Sequence, residues 1–382
     1  MRRLIWTAYV AMGGIGYLVY AVGFITPYLH HDLGLEPWMA ALPNSAMAVG
    51  LGLGGAVARG LNARLGPQRA ARGWLVVMSL GGVLLAAPIS ILVTIAGGFA
   101  FGASLGGTLV HVNSALGQGA RGSLLLTRAN LASNMAGVLG PLVLSAAASS
   151  IGWWYGSLVP VPFLLVLALV MPGSPARDRR MDTDAAEPAL PGAFWLSWAF
   201  LTLCIGAEFS YVVWGSQVVA ARTGMAQEAA TGLASLFVAG MVGGRLAASL
   251  VGIGVRRQLV VLRAGTAVTA LGALIVWQAP QPEIAGAGLL LGGLGMAPIY
   301  PFAAALALAH APDAPVRASA RLTLASSTAI FTAPLVLGLV AGALGIEAAW
   351  LIALGILVLA FALVLRVRVP AVAVEQVEAL PA

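Results

Sequence analysis

Apolar segments of about 20 residues, the length of a membrane span, follow one another along the whole chain and restrict it to one kind of fold. Each can cross a bilayer as a helix, which satisfies its own backbone polar groups in lipid. The chain is 60% hydrophobic and 9% charged, whereas a soluble domain has about 25% charged residues. The sequence predicts an all-α integral membrane protein with twelve transmembrane helices. The segments lie near residues 5–29, 38–58, 73–90, 91–116, 123–148, 153–171, 193–220, 228–251, 258–279, 284–309, 318–342 and 346–366.

The two halves of the sequence repeat one another. Residues 126–144 match residues 319–337 at nine of nineteen positions with an offset of 193. Four glycines of the first half also recur in the second half with an offset of 190. They are Gly16, Gly34, Gly50 and Gly54, and their counterparts are Gly206, Gly224, Gly240 and Gly244. The repeat predicts two pseudo-symmetric six-helix bundles, residues 1–171 and 193–382, joined by a cytoplasmic linker at 172–192. Parallel halves of this kind build one class of secondary transporters.

The basic residues are all arginines and lie mainly between the apolar segments. With the N-terminus inside, nineteen of the twenty fall in cytoplasmic loops or cytoplasmic helix ends, and only Arg222 lies outside. This asymmetry predicts cytoplasmic N- and C-termini in the plasma or inner membrane. The net charge of +7 therefore reports membrane orientation, and we expect no nucleic-acid partner.

The residue pattern also argues against a cofactor and against an enzyme. Cys204 is the single cysteine, and neither Cys nor His occurs at metal-ligand spacing. The glycine run at 50–55 lies inside a span and follows no strand, so it does not indicate nucleotide binding. No convergent catalytic set occurs within the spans. A membrane sensor or membrane-embedded enzyme remains a remote alternative.

Two local motifs lie in the first half of the predicted twelve-helix arrangement. The turn after the second segment carries Arg64-Leu65-Gly66, and the fifth segment carries a Gly-Val-Leu-Gly-Pro run at 137–141. With two six-helix halves and a cytoplasmic linker, they resemble the major facilitator superfamily over nearly the whole chain. Ala63 stands where the family's loop motif has an acidic residue that latches the cytoplasmic ends together. The run at 137–141 is similar to the family's antiporter motif and favours antiport.

Glu208 is the one acidic residue that lies deep inside an apolar segment. A carboxylate in the bilayer costs about 2.5 to 3.5 kcal/mol, so it has to face a wet cavity, find a partner or carry a proton. We predict that Glu208 is a proton-coupling site, with His111 in reserve. Tyr211 and Trp214 follow it at helical spacing and would form an aromatic wall. A hydrogen bond to a neighbouring helix is the structural alternative.

Further polar and aromatic residues are candidates for a substrate cavity, although helix packing explains each of them equally well. These are Tyr17, Tyr20, Phe24, Asn44, Asn130, Asn134, Gln217 and Tyr300. A second set is predicted to act in gating or in anchoring the helices, and it consists of Arg64, Gly66, Arg128, Arg321, Pro141 and Pro334.

The sequence thus predicts a monomeric, proton-coupled secondary transporter that works by alternating access on a small organic solute. The apolar, aromatic candidates and the partial antiporter motif favour export of a drug-like or metabolite solute. Proton-coupled uptake of a sugar-like or carboxylate solute is the alternative. The resemblance to the family implies that substrate binds between the two halves.

Overall fold

The computed structural model describes residues 2–87, 89–116, 122–172, 188–251 and 255–368. These residues form sixteen helices and no strand. The helices are α1 (Arg2–Phe24), α2 (Thr26–Asp32), α3 (Pro37–Ala40), α4 (Leu42–Leu65), α5 (Pro67–Leu85), α6 (Ile91–Leu116), α7 (Gly122–Ala148), α8 (Trp153–Leu158), α9 (Pro160–Val170), α10 (Gly192–Thr223), α11 (Gln227–Val251), α12 (Val255–Gln278), α13 (Pro282–Met296), α14 (Ile299–Ala309), α15 (Pro315–Leu344) and α16 (Ile346–Arg366).

Eleven helical stretches are long and apolar enough to cross a membrane, and they use every helix except α2 and α5. The twelfth crossing is α5, which lies between two of them in the chain and packs on α6 and α9. Its first turns carry Arg69 and Arg72, and these charges lower its mean hydropathy. The predicted all-α fold with twelve transmembrane helices is therefore confirmed.

The predicted segment boundaries agree with the observed helices where a segment ends at a glycine or an arginine. They disagree where a proline divides a predicted segment into two helices. The last helix, α16, coincides with the predicted segment 346–366. The predicted segment 5–29 is broken at Ile25, because Pro27, the second residue of α2, cannot donate a backbone hydrogen bond. Proline also begins α9, which breaks the predicted segment 153–171. Most of the predicted linker, residues 173–187, lies outside the described residues.

Glycine lets the same pair of helices approach closely in each half. A Cβ added at Gly54 of α4 would lie 2.0 Å from the Ala103 carbonyl oxygen of α6. In the second half, a Cβ added at Gly240 of α11 would lie 2.4 Å from the Leu290 carbonyl oxygen of α13. With the offset of 190, Gly240 corresponds to Gly50 of α4, where an added Cβ would lie 2.3 Å from the Phe99 carbonyl oxygen of α6. The sequence repeat thus corresponds to a repeat in helix packing.

The bundle has two ends, which we name by the chain. The terminal face contains the starts of α1 and α10 and the end of α16; the opposite face contains α2, α3 and the turn from α10 to α11. At the opposite face, Tyr28 of α2 donates a hydrogen bond to Thr231 of α11 at 3.1 Å. Ser145 of α7 donates to the Glu228 carbonyl oxygen at 2.7 Å. These contacts join the two halves at that face.

Gly54→Ala should separate α4 from α6, because the new methyl group meets backbone rather than a flexible side chain. We expect it to lower the free energy of unfolding by about 1–3 kcal/mol, the usual cost of overpacking. Gly55→Ala is the matched control, since a Cβ there meets nothing within 4 Å. It should raise stability by about 0.5–1 kcal/mol. Thermal unfolding of both variants in detergent checks this, and equal effects would contradict the close contact.

Candidate functional site

A cavity of about 440 Å³ lies between the two halves, on the side of the terminal face. One wall comes from α7 of the first half, and the other comes from α11 and from the α13–α14 junction of the second half. The lining residues are Asn130, Leu131, Asn134, Arg245, Leu246, Ala248, Pro298, Tyr300, Pro301 and Phe302. Three of the predicted cavity residues, Asn130, Asn134 and Tyr300, are thus brought together here.

Arg245 is the charged side chain in this lining. It lies six residues before the end of α11 at Val251, about 9 Å along the helix axis. Its Nη1 donates a hydrogen bond to Oδ1 of Asn134, across the gap between the halves. Its Nε donates to the Ala297 carbonyl oxygen at 3.3 Å. The sequence analysis counted this arginine among those at cytoplasmic helix ends and did not predict that it lines a cavity.

A departure from the repeat is the signal that marks Arg245 in the sequence. With the offset of 190, Gly244 corresponds to Gly54, and the next position pairs Arg245 with Gly55. The same offset pairs Glu208 with Leu18. In both cases the second half carries a charge where the first half has an uncharged residue. A charge inside a span whose counterpart in the other half is uncharged is therefore a candidate for a functional site, even where it lies near a helix end.

Glu208 lies at the middle of α10 and is half-buried. It interacts electrostatically with Arg245 of α11 and with the hydroxyls of Tyr20 and Tyr300. Among the described residues, the direct ion pairs are His31–Asp32 and Arg222–Glu347, so Glu208 and Arg245 are near each other without forming one. A carboxylate without a direct counter-ion inside a membrane can take up or release a proton.

Tyr20 connects this group to the first half. It is buried on α1, and its hydroxyl lies 3.7 Å from the Met241 sulfur of α11. Phe24, one turn further along α1, is fully buried in the core. Of the predicted aromatic candidates, Tyr20 and Tyr300 thus adjoin the Glu208–Arg245 pair.

Two predicted cavity residues of the first half, Tyr17 and Asn44, are used in helix packing instead. Tyr17 donates to the Gly156 carbonyl oxygen at 2.6 Å within the first half. Asn44 donates to the Val22 carbonyl oxygen at 3.2 Å, close to the break between α1 and α2. The donor groups of both side chains are thus bound to backbone oxygens inside the first half.

Tyr211 and Trp214 do not form a wall beside Glu208. Tyr211 donates to the Thr269 carbonyl oxygen at 2.9 Å, and its ring stacks on Phe237 with the centroids 4.5 Å apart. Trp214 donates to the Pro334 carbonyl oxygen at 3.0 Å. Helical spacing alone could not predict these contacts. Side chains three positions apart point in directions that differ by about 60°, so one can lie near the cavity while the next lies in the core.

His111 and Gln217 lie away from the cavity. His111 is buried in α6, and neither ring nitrogen has a hydrogen-bond partner in the described structure. Gln217 lines a second cavity of about 640 Å³ at the opposite face, where its Nε2 is buried without a partner. The second cavity also contains Tyr28 and Glu228, which take part in the contacts between the halves.

The predicted gating or anchoring residues are three exposed arginines, one half-buried turn glycine and two buried helix prolines. Arg64 and Arg128 are exposed, and Arg321 is exposed with its guanidinium 6.0 Å from the Trp195 ring centroid. Gly66 ends α4 with φ +81°, a conformation that favours glycine. Pro141 and Pro334 are buried inside α7 and α15. Their role in gating stays a prediction.

A family model described as Major Facilitator Superfamily matches residues 5–314 of the chain. The chain belongs to this superfamily. It is therefore a membrane transporter, of a superfamily whose members bind small-molecule substrates. The sequence prediction of the family is confirmed. No curated protein sequence matches the chain at a significant level.

Solved structures of other superfamily members have a similar fold. A bacterial homologue of the human lysosomal transporter Spinster, inward-facing and occupied, has a TM-score of 0.76 at 12% identity, covering 94% of this chain and 95% of that one. The nucleoside transporter NupG has a TM-score of 0.75 at 12% identity, covering 95% and 99%. The human organic anion transporter MFSD10 has a TM-score of 0.63 at 16% identity, with the same coverage. Identities this low show the shared fold alone.

Tyr28→Phe should loosen the opposite face of this transporter, because it removes the hydroxyl that donates to Thr231. One hydrogen bond contributes about 1 kcal/mol, so the open state should be populated about fivefold more. A cysteine at the buried Ser216, in a Cys204→Ser background, reports this as faster labelling by an impermeant maleimide. Tyr155→Phe, at an exposed tyrosine of the same face, is the control. Equal labelling rates in the two variants would contradict a closing role for Tyr28.

Proposed function

We propose that this superfamily member is a secondary active transporter of a small organic solute and that Glu208 couples the transport to protons. The observation that carries the proposal is a half-buried carboxylate at the middle of α10 that interacts with Arg245 in the wall of a cavity between the halves. A carboxylate that changes charge next to the cavity wall can link proton binding to solute binding.

Alternating access is supported by how the halves contact each other. Side chains join them at the opposite face, and the 440 Å³ cavity separates them nearer the terminal face. Parallel repeats that rock against each other around a central site account for such an arrangement. Both halves that form the cavity belong to one chain, which supports a transporter that works as a monomer.

The arginines support an orientation with the terminal face in the cytoplasm and with both chain termini on that side of the inner membrane. Arg222, the exception to the pattern, lies at the opposite face. Its Nη1 is 3.2 Å from a Glu347 carboxylate oxygen, so its charge is balanced there. The exception therefore does not weaken the orientation.

Two features bear on the class of solute and on the direction of its transport. The partial antiporter motif at 137–141, which contains the buried Pro141, favours export of a drug-like or metabolite solute. Arg245 in the cavity wall favours the second candidate, uptake of a carboxylate solute together with a proton, over uptake of a sugar. Both candidates share the proton site at Glu208.

Glu208→Gln should abolish transport driven by a pH gradient in proteoliposomes, because glutamine keeps the shape of the side chain and cannot exchange a proton. Solute counterflow, which needs no net proton movement, should remain. A thermal-shift screen of sugars, organic acids, lipophilic cations and drug-like amines supplies the solute, since a bound ligand stabilises the folded state.

Two matched variants complete this experiment. Glu283→Gln removes an exposed carboxylate in the first turn of α13 and should leave proton-driven transport unchanged. His111→Gln tests the reserve candidate in the same way. Proton-driven transport that survives in Glu208→Gln and fails in His111→Gln would move the proton site to His111.

A further inference from the structure

Arg245 is an arginine in a membrane cavity whose direct hydrogen-bond acceptors are uncharged. They are Oδ1 of Asn134 and the carbonyl oxygen of Ala297. A charge removed from water is costly unless it is paired, and neutral acceptors compensate only part of the cost. A guanidinium presents a planar fork of donors that suits carboxylate, sulfonate and similar anionic groups. Glu208 interacts with this guanidinium without forming a direct ion pair, so an anionic group in the cavity would supply the direct counter-charge that Arg245 lacks.

We propose that Arg245 and the Asn134 amide bind the anionic group of the solute, so that the substrate class is an amphipathic organic monoanion. This inference rests on the proposed function, in which the cavity holds the solute. It names residues from both halves, one on α7 and one on α11, as the two sides of a single anion site.

The remaining lining defines the rest of the solute. Leu131, Leu246 and Phe302 form an apolar wall, and the described lining residues include no carboxylate. The cavity volume of about 440 Å³ lies within the usual range for small-molecule sites, roughly 300–1,000 Å³. An aromatic or aliphatic body with one acidic group fits these surroundings. A lipophilic cation does not, because its charge would be repelled by Arg245.

Glu208 supplies the link between this anion and the proton. The titratable groups around Glu208 are Arg245 of α11, Tyr20 of α1, Tyr300 of α14 and Cys204 on its own helix. Arg245 is the cation among them. A deprotonated Glu208 and a bound anion repel each other and compete for the same guanidinium, so anion binding favours the protonated form of Glu208. Proton and anion then bind together, which is the coupling of the second candidate, symport.

The first test compares two probes of the same shape on the detergent-purified wild-type protein. Naphthalene-2-sulfonate is negatively charged throughout the pH range of the experiment, and naphthalene-2-sulfonamide is neutral. Titration calorimetry should give an affinity for the sulfonate at least about tenfold higher, the usual effect of a charge-assisted hydrogen bond. Equal affinities, or no binding of the sulfonate at millimolar concentration, would overturn the inference.

The second test assigns this preference to Arg245. Arg245→Gln should weaken sulfonate binding about 10- to 100-fold and leave sulfonamide binding unchanged. Arg245→Lys keeps the charge without the planar fork and should retain part of the preference. Arg59→Gln, at an exposed arginine of α4 outside the cavity, should retain all of it. A full preference in Arg245→Gln would contradict the site. If that variant does not fold, a full preference in Arg245→Lys together with Asn134→Ala would contradict it equally.

The pH dependence separates this inference from the proposed function. Wild-type affinity for the sulfonate should fall as the pH rises and Glu208 loses its proton, and Glu208→Gln should keep the high affinity at every pH. If the Arg245 preference is present but is independent of pH, the anion site stands and the proton site fails. If Glu208→Gln loses proton-driven transport and the wild type shows no sulfonate preference, the anion site fails and the proton site stands.

Discussion

Close approach of helix backbones is the constraint on which the rest of this structure depends. In lipid there is little hydrophobic force between helices, so association comes from packing and from interhelical hydrogen bonds. Glycine brings α4 against α6 in one half and α11 against α13 in the other. Each half is thereby closely packed, and Tyr17 and Tyr211 each donate to a backbone oxygen inside their own half. Arg245 differs from them because it also donates to Asn134 of the other half, and it lines the cavity where a solute can reach it.

The sequence was sufficient for the fold because lipid leaves few alternatives. Length and hydropathy predict crossing helices, whereas the partners of the closely packed glycines become known only from the structure. The internal breaks at Ile25 and before Pro160 were not predicted, because a proline at the start of a helix and a proline within one look alike in a single sequence. The crossing α5 was predicted from residue 73, whereas the helix begins at Pro67 and includes two arginines that water or headgroups can reach.

The candidate site was only partly predictable. Glu208 could be found because one carboxylate in an apolar segment is costly by itself. Arg245 was missed, since an arginine near a helix end usually reaches the headgroups, and only its contact with Asn134 reveals that it faces the other half. Tyr211 and Trp214 were predicted beside Glu208, but the choice between cavity and core depends on neighbouring helices that one sequence does not show.

The account depends on one event, the protonation of Glu208 when an anion occupies Arg245. Infrared difference spectroscopy can detect it directly, at constant pH, as naphthalene-2-sulfonate is added to the reconstituted protein. The sulfonate has no carbonyl group, so a change in protonated-carboxyl absorbance comes from the protein. We predict a gain of this absorbance in the wild type and none in Glu208→Gln. No gain in the wild type, or the same gain in Glu208→Gln, would contradict the account.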